Sequence, residues 1–193
     1  FCESKKDIRD LNQVFVVEGY MDVIALHQYG IQNAVATMGT AATEEHIKQM
    51  FKYCDHIVYS FDGDVAGFKA AWRALERSVG LITDTKSVSF LFLPNEHDPD
   101  SYIREYGIEK FKLELKENGI GLIQYLLKQL AVNLHLVKDE DKAKLISFVK
   151  PFLEQIKAPA VNVLLKQQLA RLVELDPGAV ESILNNKVKY AFN

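Results

Sequence analysis

Four short apolar runs constrain this chain more than any other feature: VFVV at 14–17, AVAT at 34–37, HIVYSF at 56–61 and SVSFLFL at 87–93. Each is rich in β-branched or aromatic residues and too short for a buried helix, the pattern of strands covered on both faces. Between them the period becomes helical. Residues 21–29 have helix-forming composition and stop at Gly30. Thr43 caps a stripe of Ile47, Met50, Phe51 and Cys54, and Phe68, Trp72, Leu75 and Val79 line a further helix ended by Gly80. Pro94 stops the last run. Alternating strands and helices predict an α/β domain: a parallel sheet of about four strands, helices on both faces and right-handed crossovers.

Beyond about residue 100 the strand pattern disappears and only the helical period remains. Ile123, Leu126, Leu127, Leu130 and Leu134 form one apolar face, and Leu145, Val149, Phe152 and Ile156 form another, with Pro151 expected to kink or break its helix. Pro159 and Pro177 suit first-turn positions, the second behind an Asp176 cap. The expected division is 1–13 as the end of a preceding subdomain or linker, 14–100 as the α/β domain and 101–193 as a small all-α bundle. No internal repeat or low-complexity linker separates the parts, so they are expected to pack together.

The net charge of −3 lacks the basic footprint of a free-standing nucleic-acid binder. No apolar stretch approaches the roughly 20 residues that span a bilayer, and FCESKKDIRD is not a signal peptide. Cys2 and Cys54 make neither a disulfide framework nor a metal pair, which fits a reducing, cytoplasmic setting. The chain does not begin with Met and is expected to be cut from a longer protein.

The chemistry is expected where the strands end. VFVVEGYMD places Glu18 at the end of the first strand and Asp22 in the first turn of the helix that follows, and IVYSFDGDVAG places Asp62 and Asp64 at the end of the third. Open parallel sheets bind ligands at the carboxyl ends of their strands, and if strands one and three are neighbours their carboxylates meet. Gly19 and Gly63 permit tight turns and close approach to the backbone. A fourth acidic segment, NEHDPD, follows the last strand and brings Asp98 and Asp100 to the same edge. Taken singly, each acid is a plain turn or helix-cap residue. Taken together, converging carboxylates repel one another, and a divalent cation removes the conflict. Hard oxygen ligands with no Cys or zinc-spaced His favour Mg²⁺ or Mn²⁺, hence phosphoryl or nucleotidyl transfer. The five histidines are expected mostly at the surface, His97 beside the acidic loop excepted, and Phe68 and Trp72 are expected in the core.

EGYMD with Glu18, the GTAAT turn at 39–43, FDGDVAG with Asp62 and Asp64, and the DPD at 98–100 occur in an order that resembles the Toprim domain of bacterial replicative primases of the DnaG type. The resemblance covers about residues 14–105, and the helical half looks like the bundle closing the primase polymerase region. It implies an enzyme of DNA replication, a DNA-directed RNA polymerase that lays RNA primers on a single-stranded DNA template from ribonucleoside triphosphates. It makes Glu18 the acid assigned to catalysis and metal binding and Asp62 and Asp64 metal ligands, with Asp22, Asp98 and Asp100 as further acidic positions of the metal site. It also implies zinc only in a domain absent from this chain, a replicative helicase bound through an absent C-terminal domain, and location at the replisome. Phe68 and Val65 stand where relatives often carry basic residues, and His97 where an acid is common.

Other Toprim enzymes, topoisomerases or nucleases, use the same acids, but a topoisomerase needs a tyrosine nucleophile from another domain. A haloacid-dehalogenase-like phosphatase would place its Asp-x-Asp after the first core strand, whereas two βα units precede Asp62. A non-catalytic repair scaffold often loses part of the acid set, which is retained here.

Overall fold

The computed structural model describes residues 4–37, 42–94 and 97–185. Cys2, the turn at Gly39 and Thr40, and Asn95 and Glu96 of the acidic loop lie outside the described residues. In chain order the elements are α1 (Lys5–Leu11), β1 (Gln13–Val17), α2 (Tyr20–Gln28), β2 (Ala34–Ala36), α3 (Glu44–Met50), β3 (His56–Phe61), α4 (Val65–Ser78), β4 (Ser87–Phe92), α5 (Pro99–Asn118), β5 (Ile120–Gly121), α6 (Leu122–Ala131), α7 (Asp139–Gln155), α8 (Pro159–Leu172) and α9 (Pro177–Asn185).

Five strands form one sheet in the order β2-β1-β3-β4-β5. The first four are mutually parallel, as the alternating pattern requires, and β5 runs antiparallel to β4. This fifth strand corrects the expectation of four strands and none beyond residue 100. Two residues carry no detectable period, and their pairing with Ser89 and Phe90 is set by where α5 ends.

Successive residues of each central strand point to opposite faces, so two cores form. Val14, Val16, Ile57, Tyr59, Phe61, Val88 and Phe90 face one side, where α3 and α4 pack. Phe15, Val17, Val58 and Leu91 face the other, against residues of α2 and α5. The first core continues without interruption through Leu126 of α6, Leu145 and Val149 of α7 and Leu165 and Leu169 of α8. The bundle therefore shares the hydrophobic core of the sheet, in accord with the expected packing of the two parts.

Three further expectations are corrected. Of the kink or break expected at Pro151, the break does not occur: α7 runs through it to Gln155. Val149 and Leu153 on either side are buried in the bundle, and this packing offsets the roughly 3 kcal/mol an interior proline costs. On α4, Leu75 and Val79 of the expected stripe are buried and Trp72 packs half-buried against the core, but Phe68 is 41% exposed and Gly67, Ala71 and Ala74 share the buried side. Of the histidines only His46 and His135 are exposed; His27, His56 and His97 are half-buried and hydrogen-bonded.

Candidate metal centre at the strand ends

β1 and β3 are hydrogen-bonded neighbours, with Val16 opposite Tyr59. Continuing that register by two residues sets Glu18 level with Phe61, one step before Asp62. Neighbouring strands lie about 4.8 Å apart, so the two acids leave the sheet side by side. On the other flank Phe61 is opposite Phe92, and Leu93 N–H donates to Phe61 O at 3.2 Å. That pairing carries the chain from β4 toward Asp98 and the start of α5 on the same edge.

The local sequence fixes each carboxylate. Asp64 is the N-cap of α4, its Oδ1 accepting from Gly67 N–H at 2.7 Å. Gly67 has to be glycine, because a Cβ there would lie 2.2 Å from the Asp62 carbonyl oxygen. Gly63 is equally constrained, its Cβ position being 2.3 Å from the Leu93 carbonyl oxygen. The close approach expected at Gly63 is thus made by the protein's own β4 exit, and it clamps the Asp62–Asp64 turn against the neighbouring strand.

Asp98 caps α5, accepting from Ser101 N–H at 2.7 Å, and Asp100 in the first turn accepts from Arg104 Nε. Asp22 is buried and has both oxygens engaged: Oδ2 accepts from Gly19 N–H at 3.0 Å and Oδ1 from Asp100 N–H at 3.3 Å. It ties the β1–α2 turn to the start of α5. Glu18 and Asp62 accept no hydrogen bond among the described residues. Of the six acids, these two have both oxygens free for a ligand among the described residues, and Asp64, Asp98 and Asp100 have one each.

The electrostatics bring all six acids into one field. Burial is the main reason the Asp62 carboxyl is pushed up to about 6, and Glu18, Asp98, Asp22 and Asp64 add to the effect. Glu18 is raised by burial, then by Asp64 and Asp22, with Arg73 opposing. Asp22 is raised chiefly by burial and then by Asp98 and Asp100, against the lowering effect of its two backbone hydrogen bonds. Mutually destabilised carboxylates at a strand-end cleft are the electrostatic setting of a cation site.

Among the described residues no group of three or more His, Cys, Asp or Glu side chains is arranged to hold a metal ion. The carboxylates with free oxygens at the strand ends therefore stand singly, Glu18 and Asp62 first. Arg73 of α4 was not singled out in the sequence. It lines a cavity of about 90 Å³ together with Glu18, Thr37 and Tyr59. The available signal was its spacing of four residues from Lys69, which puts two cations on one face of a helix that starts at a carboxylate.

A family model described as Toprim-like matches residues 15–103, which include all six acids. A second, described as the DnaB-helicase binding domain of primase, matches residues 123–178. That match falls inside the chain, whereas the resemblance implies helicase binding through a further C-terminal domain. The DNA primase of Neisseria meningitidis serogroup A is 46% identical over 185 residues, covering 96% of this chain and 31% of the relative. The chain thus spans about a third of the length of the curated relatives it matches. A crystal structure of a DNA primase domain from Pseudomonas aeruginosa superposes with a TM-score of 0.88 at 42% identity, covering 95% of this chain and 57% of that one. A DnaG primase catalytic domain bound to single-stranded DNA gives 0.86 at 34% identity, covering 91% and 56%.

Proposed function

The chain belongs with the DnaG-type DNA primases as a segment of their catalytic core, and from that premise we propose that it supplies the metal centre for RNA primer synthesis on single-stranded DNA. The observation that supports this reading is that Glu18 and Asp62 leave adjacent strand ends with no hydrogen bond among the described residues, within the electrostatic field of Asp64. Magnesium or manganese would be held by Glu18, Asp62 and Asp64, with Asp98 and Asp100 at the margin and Asp22 as the clamp that positions them. A bound divalent ion supplies charge neutralisation at the attacking and leaving oxygens of nucleotidyl transfer.

The residues of the chain do the rest. Asp62 holds its proton into the mildly acidic range when alone, so its ionised form is available to a cation at neutral pH only against the repulsion of its neighbours. Asp64, fixed by its cap, presents one oxygen from an immobile position at a helix N-terminus. The Gly63 contact with β4 prevents the turn from drifting away from Glu18.

A single-stranded DNA template is supported by the DNA-bound DnaG relative, and ribonucleoside triphosphates follow from the polymerase assignment. Helicase contact through α6–α8 is supported by the match over 123–178. Work at the replisome in the cytoplasm follows from the same assignment; among the described residues no helix is long and apolar enough to cross a membrane.

The test is Mn²⁺ binding to the chain, followed by the loss of free-ion paramagnetic signal. Asp62→Asn and Glu18→Gln are expected to weaken binding by about tenfold or more each, as loss of one ligand carboxylate should. Binding that is unchanged in both variants would refute the site.

A further inference from the structure

α4 and α6 each turn one helical stripe toward an open groove of about 1020 Å³. On α4 the stripe is Val65, Phe68, Lys69, Trp72 and Arg73, and on α6 it is Tyr125, Lys128, Gln129 and Val132, both at the i, i+3, i+4, i+7 spacing. The exposed surface is mainly aliphatic. Val65 is 70% exposed, Val132 62% and Phe68 41%, whereas Tyr125 is buried and Trp72 is half-buried against Phe152 of α7. Lys69 and Lys128 are exposed beside these residues, and neither forms an ion pair among the described residues. Arg73 adds a third cation, shared with the cavity beside Glu18. The one carboxylate in the lining, Glu114, is engaged by the Tyr102 hydroxyl at 3.2 Å and by Asn118 Nδ2 at 2.7 Å. A chain whose net charge is −3 thus carries a cationic groove with an apolar bed.

We propose that this groove docks an acidic amphipathic helix of a partner protein, seated between α4 and α6. Two helices that both leave a helical-period stripe uncovered form a seat for a third, whose own apolar residues recur at the same spacing. The dimensions agree. The α4 stripe runs about 12 Å from Val65 to Arg73, slightly more than two turns, and two turns of a helix about 10 Å across occupy roughly 850 Å³. Grouped exposed aliphatic side chains mark a contact with protein rather than with nucleic acid, because Val65 and Val132 offer bases nothing to stack on. Charge then selects the partner. Unpaired Lys69 and Lys128 complement Asp or Glu on the flanks of the incoming helix and repel a basic one. The assignment goes beyond the primase reading, and its test needs no metal.

The test uses a labelled peptide of about 15 residues, long enough to hold a helix, with Leu at i, i+3, i+4 and i+7 and Glu beside them. Titrated with the 193-residue chain in EDTA and followed by fluorescence anisotropy, it is expected to bind at about 10–100 μM. The emission of Trp72, the only tryptophan, should change with it. Phe68→Ala, and separately Lys69→Glu/Lys128→Glu, should each weaken binding at least about tenfold, with folds checked by circular dichroism. The same peptide with Lys in place of Glu should bind the double variant more tightly than it binds the wild type, a reversal that mere loss of structure does not produce. A peptide that binds no better than its scrambled isomer, or that binds both variants as it binds the wild type, would overturn the proposal. So would an oligothymidylate that displaces the peptide and binds more tightly, which would make the groove a nucleic-acid surface. A concentration-dependent dimer abolished by Phe68→Ala would also overturn it, by assigning the face to a second copy of the chain. Loss of Mn²⁺ binding in Asp62→Asn bears on the metal centre alone.

Discussion

Replacing Asp62 with Asn should stabilise the metal-free chain at neutral pH, because the wild-type carboxylate is held in a field that opposes its charge. Its pKa moves from the ordinary value of about 3.9 to about 6. A carboxyl that binds its proton more tightly folded than unfolded adds nothing unfavourable below about pH 4. Its ionisation destabilises the native state progressively as pH rises through the interval, and the full penalty is present above about pH 6. Two pH units at about 1.4 kcal/mol each give about 3 kcal/mol as an upper figure. Asp62 is partly exposed, so solvent screening reduces this to about 1 kcal/mol. For a chain of this size that is about 2–4 °C in Tm.

The measurement is thermal unfolding of wild type and Asp62→Asn in EDTA, at about pH 7.5 and about pH 5, where by linkage roughly half of the penalty remains. The variant is expected to melt higher at neutral pH, with the gap narrowing in acid. Excess Mn²⁺ should reverse the order at neutral pH, since a ligand that binds only the native state stabilises it by mass action and the variant has lost a ligand group. A variant that melts lower than wild type in EDTA, or a gap that does not change with pH, would refute the electrostatic account of the site.

Asp64→Ala should behave in the opposite way and lower stability by about 1 kcal/mol at neutral pH, because it removes the α4 cap; chemical denaturation would detect this. Gly67→Ala should cost about 2–3 kcal/mol or more, since the added Cβ meets the Asp62 backbone rather than a movable side chain, and the same denaturation experiment measures it. His56 is half-buried and hydrogen-bonded to Gln13 and Ser89, and desolvation lowers its pKa. Its contribution is intact above the unfolded value of about 6.5 and is lost as pH falls below it, so His56→Gln should flatten the pH profile of Tm in that range. In a primer-synthesis assay the 193-residue chain alone should give little product, because it spans only about a third of its relatives; robust synthesis would contradict this.

The four parallel strands were legible because each is a continuous apolar run bounded by glycine, proline or polar residues, a signal contained in the strand itself. The acids at their ends were legible for the same reason, since a strand boundary also fixes where the next side chain emerges. Which acids are free and which are engaged was not legible. Asp22 is tied up by the backbone N–H of Asp100, 78 residues away, and no local pattern encodes that contact. The contact face of α4 was only partly legible. Leu75 and Val79 of the apolar stripe are buried and Trp72 packs against the core, but a helix seated closely on a sheet also needs small side chains at the contact. Gly67, Ala71 and Ala74 supply them, and Phe68 is left at the rim.

The seating of α4 reaches the candidate site directly. α4 starts at Asp64, whose cap bond holds it at the strand ends, and it buries Gly67, Ala71 and Ala74 against the sheet. A larger side chain at Ala71 or Ala74 would demand a wider separation of helix and sheet, and the close approach of Gly67 to the Asp62 backbone would then open. Enlarging Ala71 or Ala74 should therefore lower Mn²⁺ affinity together with stability, read by Mn²⁺ titration and by thermal unfolding. A variant that lost stability and kept full Mn²⁺ affinity would show that the seating of α4 does not order the Asp62–Asp64 turn.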